Sequence, residues 1–207
     1  MGLRINTNVL SLVAQRGLSQ ATDRLALNYR RLATGLRITS AADDAAGLAI
    51  SERMRAQLRS LDQARRNAAD GVSVVQTAEG SLGTVSEILL RLRELAVQAS
   101  NGTVSSNDRE TIQEEFASLV DEVDRIGRSA EFNGIKLLDG TASTVVFQIG
   151  IGVTDGIDRL GASLTPVLAT SLGLDVLGVT NAAAASAALD AIDGAIDDVS
   201  RVRGRFG

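Results

Sequence analysis

Two sets of carboxylates in this sequence lie close enough together to raise the question of cation chemistry. Asp190, Asp193 and Asp197 lie three and four residues apart, hence on one helical face. Asp155-Gly156-Ile157-Asp158 has the composition of a metal-binding loop. The chemistry on offer would be cation coordination by oxygen. A calcium site, however, needs a turn or glycine-bearing loop to gather its oxygens, which the first set lacks, and a loop length and terminal Glu that the second lacks. The first therefore reads as a solvated acidic face and the second as a hairpin turn. Asn101-Gly102-Thr103 fits the glycosylation acceptor pattern, but its glycine is already accounted for as a helix stop. With no His and no Cys, the chain has no imidazole acid–base catalysis, thiol chemistry or disulfide, and few ways to hold a metal. No phosphate-binding glycine loop, nucleophile elbow or nucleotide fingerprint occurs. The residues point away from an enzyme: no catalytic residue, no cofactor, no metal.

The pattern that does organise the chain is apolar and runs through residues 43–101. Met54, Leu61, Ala68, Val75, Leu82, Leu89 and Ala96 are seven apart, and Ala78, Val85, Leu92 and Ala99 keep a second seven-step. One continuous helix of 59 residues follows, about 88 Å long at ~1.5 Å per residue. Only other long helices can cover such a stripe, so the expected fold is mainly α: an elongated rod of long antiparallel helices, a coiled-coil-like bundle with a small β-hairpin region. A core without Trp, with one Tyr and four Phe, suits close helix seams packed by Leu, Ile, Val and Ala.

The net charge of −4 hides an asymmetry, because residues 1–66 carry +6 and residues 67–207 carry −10. The arginines of the basic part are spread around the helix with only Tyr29 among them, which does not support base stacking, so no nucleic-acid partner is expected. No apolar run approaches the ~18 residues of a membrane span, and the N-terminus lacks the apolar core of a secretory signal. Asn6 breaks the myristoylation pattern.

In order, Ile5-Asn6-Thr7-Asn8 opens a first helix with Leu18, Leu25 and Leu32 on a narrow stripe, marginal without a partner. Thr34-Gly35 ends it, residues 36–42 connect, and Asp43 and Asp44 stand at the positive end of the long helix. Gly71, Gly80 and Gly83 inside that helix suggest close approach of a neighbouring backbone. Asn101-Gly102 predicts a left-handed stop, and Asn107 with Glu110 resembles a capping box. Ile112, Phe116, Leu119, Val123 and Ile126 mark the buried face of a helix over 106–130, antiparallel to the long one. Residues 131–178 should hold one or two hairpins, signalled by Asn133-Gly134 and by the β-rich Thr144–Ile149. A last helix over 181–207 shows Ala185, Leu189, Ile192, Ile196, Val199 and Phe206 on the face that meets the long helix.

Several stretches together resemble bacterial flagellin. They are Arg4–Asn8, Arg31-Leu32-Ala33-Thr34-Gly35-Leu36-Arg37-Ile38, Asp43-Asp44-Ala45-Ala46-Gly47, Gln63–Asn67, Asp70-Gly71, Thr77-Ala78-Glu79-Gly80, Arg93–Gln98 and Phe132-Asn133-Gly134. The likeness runs over residues 3–140, weakens through 141–178 and returns in 181–207. It implies a structural subunit that polymerises into the flagellar filament for motility, outside the cell. Residues 1–42 would form an inner-tube helix and connector, and 43–207 an outer-tube bundle with the hairpin region 131–178. Implied partners are further copies of the chain, the flagellar export apparatus, the hook-associated and cap proteins, and the host Toll-like receptor for flagellin. Alternatives are a hook–filament junction protein of the related family, or a monomeric ligand sensed by a host innate receptor. With only about 48 residues between the helical parts, the resemblance is to a minimal flagellin. It also implies a further helix after residue 207, pairing with the first, which this sequence does not contain.

The resemblance carries over a receptor-binding site as well, at Arg91, Leu95 and Glu115. Arg91 and Leu95 are four apart, and both lie off the 82/89/96 series, so both are expected to face outward. Glu115 lies off the 112/116/119 stripe. An exposed Arg and Leu with a carboxylate opposite have the make-up of an interface hot spot.

Overall fold

A computed structural model describes residues 8–206. The elements are α1 (Val9–Thr34), α2 (Ala45–Ser100), α3 (Ser106–Ser129), β1 (Glu131–Phe132), β2 (Ile135–Lys136), β3 (Thr144–Gln148), β4 (Arg159–Ser163) and α4 (Ala182–Phe206). They fall into two compact units, the first ending at Arg59 and the second beginning at Ser60. The long helix α2 is continuous through that boundary.

In the first unit, Asn8 caps α1 by accepting a hydrogen bond from the Ser11 backbone N–H at 3.1 Å, and Gly35 closes the helix at φ 67°. Ile5, Asn6 and Thr7, read as part of this start, lie outside the described residues. None of the 26 residues of α1 is buried. In the connector, one Asp43 carboxylate oxygen accepts from the Thr39 N–H and hydroxyl and from the Ser40 N–H, which holds this carboxyl below its ordinary value. Asp44 accepts from the Gly47 N–H at 2.9 Å, so a carboxylate does sit on the positive end of α2.

The second unit is built on the later part of α2. Ala64, Gly71, Ala78, Val85, Leu92 and Ala99 form a continuous buried seven-step, and Leu82, Leu89 and Ala96 join it further along. Met54 and Leu61, on the other predicted series, are exposed. Two helices cover the seam. Arg91 meets Glu115 while Arg109 reaches Ala99, and Arg93 meets Asp193 while Arg203 meets Glu79. In each pair the partner's number rises as that on α2 falls, so α3 and α4 both run antiparallel to α2. On α4 the strictly buried set is Ala185, Ala188, Ile192, Ala195, Val199 and Val202, a regular alternation of three and four steps. Leu189, Ile196 and Phe206, which the sequence placed on the central face, flank it and are half-buried.

Three local expectations are corrected. Gly102 is not left-handed, because the α2 end is satisfied differently: Arg109 Nε donates to the Ala99 carbonyl at 2.8 Å and Nη2 to the Asn101 carbonyl at 2.9 Å. A guanidinium thus replaces the glycine cap. The α3 cap is Ser105, whose hydroxyl accepts from the Asp108 N–H, and not Asn107, which already lies inside the helix. Gly80 and Gly83 have open space around them, whereas Gly71 is closely approached, by the Phe147 ring and not by backbone.

Both hairpins form. Asn133 (φ 48°) and Gly134 (φ 81°) make the two-residue turn between β1 and β2, with Phe132 opposite Ile135. Strands β3 and β4 pair antiparallel from Thr144↔Ser163 to Gln148↔Arg159. Asn67 Nδ2 donates to the Gln148 carbonyl at 2.9 Å and ties this hairpin to α2. Residues 164–180 then cross α3, burying Leu164, Val167, Ala169, Leu174 and Val179. Their backbone is held by side chains of α3: Gln113 accepts from the Val179 N–H at 2.6 Å and Asp124 from the Ala169 N–H at 2.7 Å.

At Gly127 this segment comes so close that an added Cβ would lie 2.8 Å from the Val167 carbonyl oxygen. At Gly83 an added Cβ would meet nothing within 4 Å. Gly83→Ala is therefore expected to raise stability by about 0.5–1 kcal/mol through helix propensity. Gly127→Ala should lower it despite the same gain. Urea unfolding of the two variants checks this, and equal shifts would contradict the packing described.

Candidate functional site: the polar seams and uncovered stripes of the bundle

The three residues singled out for recognition fall on the paired faces of α2 and α3, but in two different environments. Arg91 bridges the helices: Nη2 and Nε donate to Glu115 Oε1 at 2.7 and 3.0 Å, and Nη1 donates to Glu94 Oε2 at 2.9 Å. Glu115 first, then Glu94, raises the Arg91 guanidinium above its ordinary value. Both ends of the bridge are about half exposed, so it displays a charged surface more than it secures the bundle.

Leu95 does not face outward. It is 1% exposed, among the most buried side chains of the core. The reason is the number of helices on α2. A two-helix seam needs two positions per heptad, but α3 and α4 both lie on α2, so its apolar face is wider than one seam, and Leu95 belongs to the same core as Leu92 and Ala96. The exposed leucine beside Arg91 is Leu90.

Two further bridges repeat the arrangement on the α4 side. Arg93 Nε donates to Asp193 Oδ1 at 2.6 Å, and Arg203 Nη2 donates to Glu79 Oε1 at 3.0 Å. Asp193, read with Asp190 and Asp197 as one acidic face, is thereby drawn onto α2, and the Arg93 hydrogen bond holds it below its ordinary value. Asp158 is likewise committed: it accepts from the Gly152 and Thr154 N–H groups, which lower it and close the β3–β4 loop. These bridges and loop closures had no signal in the periodicity. They join residues up to 124 positions apart.

Apolar surface is also left uncovered. Along α2, Ile50, Met54 and Leu58 are each more than half exposed, and α1 shows Leu18, Leu25 and Leu32 to solvent. Between α2, the β3–β4 hairpin and the end of α4 lies an apolar cleft of about 680 Å³ lined by Val72, Val75, Phe147, Leu160 and Phe206. Monomeric proteins rarely leave such surface open unless another molecule covers it. Among the described residues no helix is long and apolar enough to cross a membrane.

Residues 5–143 match the family model described as the bacterial flagellin N-terminal helical region. The chain belongs to the flagellin family. The flagellin of Halalkalibacterium halodurans is 43% identical over 205 residues, 98% of this chain and 74% of that protein. Polar flagellin F of Vibrio parahaemolyticus is 49% identical over 150 residues, 72% of this chain but only 40% of that relative, so the chain spans less than half of the Vibrio protein. The crystal structure of Bacillus cereus flagellin superposes with a TM-score of 0.61 at 32% identity, over 69% of this chain and 81% of that one. A putative flagellar hook-associated protein from Vibrio parahaemolyticus reaches 0.63 at 21% identity, over 81% and 88%, and shows the shared fold alone. Flagellins are structural proteins of the bacterial flagellar filament, an extracellular polymer.

The two environments separate by mutation. Leu95→Ala should cost about 2–5 kcal/mol of stability, as a large-to-small change in a packed core does. Arg91→Ala should leave the unfolding midpoint nearly unchanged. Acid adds a third test. Burial raises the Asp124 carboxyl, but the Ala169 N–H and Arg128 outweigh burial and set it below its ordinary value. Its stabilising effect is thus present above about pH 4 and lost as pH falls through the lowered folded value. Asp124→Asn should flatten that part of the pH–stability curve.

Proposed function

We propose that this flagellin polymerises with further copies of itself into the flagellar filament and serves there as a structural, non-enzymatic subunit. The observation that carries the reading is the division of α2. Its later part is sealed within the subunit by α3 and α4, while its earlier part and all of α1 offer apolar residues that the described residues leave uncovered. Residues 1–42 are assigned to the inner tube and 43–207 to the outer tube. The subunit reaches the filament through the flagellar export apparatus and meets the hook-associated and cap proteins at its ends. Expressed with a tag in a flagellated bacterium, the chain should appear in the sheared filament fraction. Recovery only inside the cell, or only as monomer in the medium, would overturn the proposal.

A second reading concerns the shed monomer. We infer that the host Toll-like receptor for flagellin contacts the surface formed by Arg91 and Glu115, because that bridge is half exposed and presents charges from two helices side by side. Leu95 supports this surface from beneath. Arg91→Ala and Glu115→Ala should each weaken receptor activation by purified protein about tenfold, the scale of an interface hot spot. Equal signalling by the original chain and both variants would refute it.

A further inference from the structure

The composition leaves this chain few side chains that mild oxidants attack: no Cys, no Trp, no His, one Tyr and two Met. Of the methionines, Met54 lies within the described residues and stands 59% exposed in the middle of the uncovered stripe. Ile50 and Leu58, one turn to either side, are 52% and 62% exposed and share its face. Peroxide susceptibility of methionine follows exposure, and the sulfoxide turns a flexible apolar side chain into a polar one.

We propose that Met54 is a peroxide-sensitive modification site, at which oxidation weakens packing of the Ile50–Met54–Leu58 stripe against a second copy of the chain. This rests on the polymer reading above. The thioether sulfur attacks one peroxide oxygen, the O–O bond breaks, sulfur is oxidised to the sulfoxide and hydrogen peroxide is reduced to water. Charge identifies the occupant. Arg53 and Arg59 flank the stripe with no carboxylate partner among the described residues, in the part of the sequence that carries +6. Asp190 and Asp197 lie exposed on α4 without a basic partner among the described residues, in the part that carries −10. A basic apolar stripe meeting an acidic helix face of another copy is a heterologous contact, the kind that builds an open polymer. Because the stripe is open before assembly and covered after it, the free chain is the form that oxidises.

The test compares untreated and peroxide-treated chain with Met54→Leu, by peptide mass spectrometry and sedimentation. Treated chain should gain one oxygen atom on the Met54 peptide and self-associate about tenfold more weakly or less, while treated Met54→Leu associates like untreated chain. Association unchanged by confirmed oxidation at Met54, or a Met54 peptide that stays unoxidised, overturns the proposal and leaves the polymer reading standing. Untreated chain that does not self-associate at any concentration overturns both.

Discussion

The fold depends on one constraint: a helix of 56 residues carries more apolar surface than the other described residues cover. Folding solves part of the problem. From Leu82 to Ala99 the stripe is sealed, because α3 and α4 lie antiparallel on it and bring Ile112, Phe116, Val123, Ile192 and Val199 into one core. A buried side chain of this size contributes roughly 1.5–3 kcal/mol, so this cluster outweighs any single surface ion pair. The arginine bridges across the seams set register more than strength.

The polar groups that matter most to the shape hold backbone and not each other. Arg109 closes the end of α2, Gln113 and Asp124 hold residues 164–180 against α3, and Asn67 holds the β3–β4 hairpin. Each gives a loop N–H or carbonyl a partner it would otherwise seek in water. With those groups satisfied, a loop segment with five buried apolar residues can pack without regular secondary structure of its own.

Much of this was legible in the sequence. Apolar spacing located the four helices of the described residues to within a few residues, and Asn133-Gly134 located a turn, because both signals are local. The misreadings share one physical cause. Leu95 lies off the 82/89/96 series, yet it is buried in the core that α2 shares with α3 and α4. Gly102 looked like a helix cap until a side chain ten residues from Ala99 took over the task. Gly80 and Gly83 sit in open space, whereas Gly127, where the close approach does occur, faces a segment about 40 residues away in sequence. Periodicity records what one element needs; it does not record which neighbour meets the need. The family resemblance placed the recognition residues by position, and position alone did not distinguish the exposed Arg91 from the buried Leu95.

Helix α2 is thus sealed in one part, by α3 and α4, and left open in the other. Hydrogen exchange of the backbone amides of the purified chain tests it most directly. Amides from Val74 to Ala99 should exchange only with opening of the whole second unit, while those from Ile50 to Leu58 exchange much faster through local opening. Uniform protection along the entire helix would contradict this division.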